Sequence, residues 1–248
     1  MAAKGAIRTM KAPAGLKLND PRNLLTSLVL VFPLFLVYQV GVLFTLPMLN
    51  GADFLTVFLF RRLGLTTSAY LGYTAVVAFA FAIAVVLLRR RQKFDPKVVI
   101  PVFIESAIYA LTMGSLIVFV MVRVFGISPR LAGGIAGEGF LTRVVMSFGA
   151  GVYEETVFRL GLMAGLTALL ERGVGLRRWI AALLGLGISS VLFSAMHHIP
   201  PYGDPFTMGV FTFRILAGAC FGLLFWFRGF AVAVYTHALY DLYVLIVK

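Results

Sequence analysis

Two adjacent glutamates and an arginine, Glu154, Glu155 and Arg159, interrupt an otherwise mostly apolar stretch, residues 140–170, within the nonapeptide VYEETVFRL. A charged side chain at bilayer depth costs at least ~2.5–3.5 kcal/mol on insertion scales, so such residues are rare, paired and usually functional. On a helix, Glu155 and Arg159 lie at i and i+4 and can form an ion pair on one face. Glu154 projects about 100° away from Glu155 round the helix axis, free to act on something else. The plainer account is a structural ion pair with a spare carboxylate. The chemical account makes Glu154 a base or a ligand, with Glu155 and Arg159 as its brace.

Two further pairs repeat the one-turn spacing. Phe193 and His197 stand at i and i+4, which packs an aromatic ring beside an imidazole, and His237 and Asp241 do the same with Thr236 and Tyr240 alongside. A carboxylate one turn from an imidazole can fix its orientation and tautomer. Carboxylates and imidazoles that converge can move protons. They can also hold zinc: Glu154, His197 and His237 would supply three ligands and leave a fourth position to water, although no H-E-x-x-H occurs. His198, beside the breaker Pro200 and Pro201, reads as an ordinary interfacial histidine. Arg214 lies about 13 Å into its helix by helical rise; it either snorkels or clamps a substrate carboxylate. Glu105, near a basic loop, is expected to pair with a neighbouring arginine.

These side chains need apolar elements to carry them, and the composition provides such elements. Of 248 residues, 60% are hydrophobic and only 13% charged, with a mean hydropathy of +0.96. A soluble domain of this size would expose far more charge. The chain therefore reads as an all-α polytopic membrane protein. Its net charge of +12 sits in short basic segments between apolar runs, as in loops facing anionic lipid, and not in a nucleic-acid-binding patch. The single cysteine, Cys220, excludes an intrachain disulfide.

At ~20 residues per span, seven helices are expected, over 24–48, 68–88, 99–123, 140–170, 178–197, 206–227 and 229–247. Helices 4, 5 and 7 would form the polar site. Residues 54–63 read as an interfacial piece, and the glycine-rich stretch 126–139 as a flexible loop or lid. Residues 1–23 form a basic arm ahead of a single transmembrane domain, 24–248. Lysine and arginine concentrate in that arm, in 89–97, in Arg172, Arg177 and Arg178, and at Arg228. This alternation puts the N-terminus in the cytoplasm.

The three motifs, E-E-x-x-x-R at 154–159, F-x-x-x-H at 193–197 and H-x-x-x-D at 237–241, fall in order on successive late helices. As a set the chain resembles the CPBP family: the CAAX prenyl endopeptidases and bacterial Abi-like relatives linked to bacteriocin processing or immunity. The resemblance covers about 140–248. It implies a glutamic-type intramembrane endopeptidase acting on protein or peptide substrates with a membrane-associated or C-terminal tail, without a cofactor. Glu154 would activate water, Glu155 and Arg159 would be structural, His197 would help hold the water, and His237 with Asp241 would line the oxyanion site. CAAX endopeptidases usually carry asparagine at the last position. An ionised Asp241 cannot donate to an oxyanion, so it is expected to orient His237 or to act while protonated. The bacterial relatives imply a multi-pass protein of a bacterial inner membrane. The competing readings are a zinc peptidase, a proton-coupled transporter, which the lack of an internal repeat disfavours, and a non-catalytic immunity protein. None of them involves nucleic acid.

Overall fold

A computed structural model describes residues 23–46, 48–54, 56–58, 64, 66–128, 138–199 and 203–247. Most of the basic arm, residues 129–137 of the glycine-rich stretch, and Arg61 and Arg62 lie outside the described residues. The described chain is helical, in this order: α1 (Leu24–Thr45), α2 (Thr67–Arg89), α3 (Val99–Arg123), a long α4 (140–172), α5 (Arg178–Met196), α6 (Met208–Arg228) and α7 (Phe230–Val247).

The helix ends follow local chemistry. Asn23 caps α1 by accepting from the Leu25 and Thr26 amides, which otherwise have no intrahelical partner. The expected first helix runs to 48, yet α1 stops at Thr45. Leu46 precedes Pro47 and takes an extended conformation, ψ 142°, because proline disfavours helical geometry in the residue before it. Thr207 caps α6 through the Val210 amide. Gly229, at φ 94°, supplies the left-handed turn that lets α7 begin one residue after α6 ends.

Among the described residues, five helices are long and apolar enough to cross a membrane: α1, α2, α3 with the turn that precedes it, α5 and α6. The expected seven spans therefore become five that qualify by length and composition, together with α4 and α7. Those two are the helices that carry the Glu-Glu-Arg and His-Asp motifs. Apolar side chains cover the outside of the bundle, as a lipid-facing surface requires: Phe44, Phe79, Ile100, Leu111 and Trp179 are all exposed. This is an integral, multi-pass membrane protein.

The helix that ends the sequence is central in space. Residues Ala231, Val232, Ala233 and Val234 of α7 are fully buried, and the helix packs against α1, α3, α4 and α6. By contrast α2 is peripheral; it rests on α1 and buries only Tyr70. The basic connections gather at one end of the bundle. Leu25 donates its amide to Gln92 and Asn23 reaches the Lys93 carbonyl, Arg228 pairs with Glu105, and Arg178 lies over Trp226. Glu105 thus finds its arginine at the α6–α7 corner and not in the adjacent basic loop.

The close approach of α4 to α7 depends on Gly151, where an added Cβ would lie 2.8 Å from both the Val234 carbonyl oxygen and the Ala238 Cβ. The carbonyl belongs to buried backbone and cannot swing aside. Gly151→Ala should therefore lower stability by about 1–3 kcal/mol, the usual cost of overpacking. Gly165→Ala, in the same helix but facing open space, should not. Thermal unfolding in detergent compares the two; equal melting temperatures would mean that α4 and α7 pack more loosely than described.

Candidate active site

The motif helix is not regular. Between α-helical ends (Phe140–Gly149 and Ala164–Arg172), α4 winds as two π-helical segments, Ala150–Glu154 and Thr156–Met163, joined at Glu155. π-helical turns inside α-helices are rare, and frequent at functional sites. Here Glu154 and Glu155 leave the helix in different directions and find different partners.

Glu155 is fully buried and holds two residues at once. Its Oε2 faces the Arg159 Nε at 3.1 Å, at i and i+4 as expected. The two atoms are not aligned for a hydrogen bond, so the attraction there is ionic. Its Oε1 accepts from the His237 Nδ1 at 2.7 Å. Arg159, itself buried, donates from Nη2 to the Gly218 carbonyl at 3.1 Å. Its guanidinium also lies 4.5 Å from the Phe193 ring centroid and 5.4 Å from that of Phe221. The brace joins α4, α5, α6 and α7.

Glu154 points into a separate cluster. Its Oε2 lies 3.5 Å from the His197 Nε2 and 3.9 Å from the His237 Nε2, while Asp241 Oδ2 lies 3.5 Å from the same His237 nitrogen. Both imidazoles are held by their far nitrogens. The His197 Nδ1 lies 2.7 Å from the Phe193 carbonyl oxygen, one turn back at the end of α5. A carbonyl only accepts, so Nδ1 carries the proton, and in the neutral ring Nε2 is an acceptor. Glu155 accepts from His237 Nδ1, so that nitrogen also carries a proton. Glu154 Oε2 is buried and has no hydrogen-bond partner among the described residues. With a neutral His197, two acceptors face one another at 3.5 Å.

The four residues of the expected site thus come together, and Phe193 serves them by edge contacts: ring centroids 4.8 Å to His197 and 6.0 Å to His237. His237 meets two carboxylates: Asp241, one turn away, faces its Nε2 at 3.5 Å, and Glu155 on α4, which the spacing did not offer, holds its Nδ1. Arg214 is already engaged: it pairs with Asp204 in the loop before α6, so a clamp on a substrate carboxylate would have to exchange that partner. His198 stays outside the cluster, its Nδ1 donating to the Asp204 carbonyl at 2.9 Å. No group of three or more His, Cys, Asp or Glu side chains among the described residues is arranged to hold a metal ion.

Sequence reasoning missed two contributors. Phe221 stacks on the His237 ring, centroids 4.2 Å apart and planes within 15°. Nothing separates it in the sequence from the other phenylalanines, 23 in all. Asn50, between α1 and α2, donates from Nδ2 to Glu154 Oε1 at 3.0 Å. It stands more than 100 positions from its partner, and a lone asparagine before a glycine reads as a turn residue.

Residues 136–243 match the family model for Rce1-like proteins, described as type II CAAX prenyl endopeptidase Rce1-like. The match spans all three motifs and supports assignment to the CPBP/CAAX protease family. No curated protein matches, and no solved structure does.

The brace has a measurable consequence. Arg159→Ala leaves Glu155 buried beside His237 without its cation, and breaking a buried pair from one side costs about 3–5 kcal/mol. A large drop in melting temperature and in folded yield is expected. Arg159→Lys should recover only part of the loss, since a lysine cannot reproduce both the Gly218 bond and the flat contact with Phe193. If Arg159→Ala melts like the wild type, Glu155 is not sustained by this ion pair.

Proposed function

We propose, from the CAAX-protease family assignment of residues 136–243, that the protein is an intramembrane endopeptidase. It cleaves protein or peptide substrates with a membrane-associated or C-terminal tail, using water activated by Glu154. The observation that carries this reading is the buried Glu154 Oε2, free of hydrogen bonds among the described residues, facing the Nε2 atoms of two histidines whose Nδ1 atoms are already engaged.

Peptide hydrolysis needs a base for water, a donor where charge develops on the carbonyl oxygen, and a proton for the departing amine. A water seated against Glu154 Oε2 and His197 Nε2 would donate a hydrogen bond to each and turn an oxygen lone pair to the substrate. Glu154 takes a proton as the C–O bond forms. The doubly protonated His237, held by Glu155 at Nδ1, donates from Nε2 to the tetrahedral oxyanion. Glu154 then returns its proton to the leaving nitrogen as the C–N bond breaks. Asp241 accepts from the same Nε2 between turnovers, a role that suits a carboxylate where an oxyanion donor would not. The basic end of the bundle faces the cytoplasm on this reading, with the N-terminus on that side.

The test is Glu154→Gln, which keeps shape and hydrogen-bonding capacity and removes the base. Turnover should fall by about 10²–10⁴, the usual size of a general-base contribution, with KM little changed. Comparing membrane-anchored and secreted termini between a deletion strain complemented with wild type and one complemented with this variant identifies the substrate. The purified active protein should hold substoichiometric zinc and keep its rate under strong chelation. Stoichiometric zinc, with activity lost on chelation and restored by the metal, would replace Glu154 catalysis with a zinc mechanism.

A further inference from the structure

The segment between α1 and α2 lies outside the family match, 136–243, yet it touches the reacting carboxylate. Asn50 has both ends of its side chain occupied. Its Oδ1 accepts from the Ala52 amide at 2.8 Å, which identifies Nδ2 as the end that donates to Glu154 Oε1 at 3.0 Å. Its own amide donates to the Tyr38 hydroxyl at 3.1 Å. Tyr38 is fully buried; its ring lies 5.2 Å from that of Tyr153, the residue before Glu154, and is packed against Gly149 on α4.

Asp53 anchors the same segment. It is fully buried, its Oδ1 accepts from the Thr56 amide at 3.2 Å, and burial pushes its carboxyl above the usual carboxylate range. A connection held this firmly over a carboxylate does more than join two helices.

We propose that Asn50 is a positioning residue for Glu154: by donating to Oε1 it fixes the carboxylate so that Oε2 is the oxygen presented to His197 and His237. The proposal rests on the reading of Glu154 as the base. Its geometric content stands apart from catalysis and can be tested apart from it. A carboxylate with one oxygen bound has its rotation set, and the free oxygen is then the reactive one. Of the other charged and titratable groups facing Glu154, His197 and His237 lie on the Oε2 side, with Asp241 behind His237.

Asn50→Ser is the cleanest variant, because its shorter hydroxyl can still accept from the Ala52 amide but no longer reaches Glu154, and it avoids the second carboxylate that an aspartate would set against Glu154. Asn50→Ala, which loses both contacts, is the second variant should the first fold poorly. In purified protein in nanodiscs, the infrared difference between each protein and its Glu154→Gln counterpart gives the Glu154 carboxylate band. Both Asn50 variants should shift that band, and Asn23→Ala, at the α1 cap, should leave it in place. With a quenched fluorescent peptide bearing a lipidated cysteine near its C-terminus, Asn50→Ser should lower kcat by about 10- to 100-fold, with KM within about twofold. An unmoved band in folded Asn50→Ser and Asn50→Ala overturns the proposal, whatever the activity. So does an unaltered kcat in Asn50→Ser. If the wild type leaves the peptide intact, the functional reading is what suffers, and the infrared arm alone decides the role of Asn50.

Discussion

Glu155 is the residue on which the rest of the site depends. A fully buried carboxylate has to be paired and hydrogen-bonded or it is not tolerated. Here one oxygen faces a guanidinium and the other accepts from an imidazole. The same contact that satisfies the charge also sets the ring of His237. Stability and geometry are therefore not separable at this position, and the ladder from Arg159 through Glu155 to His237 ties the middle of α4 to the central helix α7. The flanking rings complete it: Phe193 lies under Arg159 and beside His197, while Phe221 is stacked flat on His237.

The neighbouring glutamate differs in what meets its second oxygen. Glu154 has one oxygen bound by Asn50, and the other, buried and without a hydrogen bond, faces imidazole nitrogens where Glu155 faces a guanidinium. Native proteins satisfy nearly all buried polar atoms, and exceptions concentrate where reactivity is wanted. Adjacent residues on a helix already point about 100° apart, and Glu154 and Glu155 stand where the two π-helical segments of α4 meet. The small residues beside it, Gly149 and Gly151, let Tyr38 and α7 come close enough to wall the site.

The bundle keeps its interhelical ion pairs apart from the site. Ion pairs that bind elements together, Glu105 with Arg228 and Arg214 with Asp204, sit near helix ends. The carboxylates and imidazoles of the site lie within α4 and α7 and at the C-terminal end of α5. The region that matches the protease family supplies Glu154, both histidines and Asp241, whereas the first helix and the connection after it contribute the roof: Tyr38, Asn50 and Asp53. A description confined to the matched residues would leave Glu154 Oε1 without its donor.

The sequence by itself determined the class of the protein, the helices and the identity of the polar cluster, because each rests on a signal that is local or costly. Apolar runs of span length cannot be soluble surface, a one-turn spacing puts Glu155 beside Arg159 on any helical winding close to α, and charges in such runs must meet one another. It could not determine which acid holds which histidine. Spacing offers His237 an aspartate one turn away, yet tertiary packing brings Glu155 from another helix to Nδ1 and leaves Asp241 at Nε2. Nor did it reveal α7 as the central helix, the π-helical stretches of α4, Phe221 or Asn50. Those depend on where helices far apart in the chain come to rest, and contact between residues such as Asn50 and Glu154, joined only through the folded bundle, leaves no periodicity in the sequence to read.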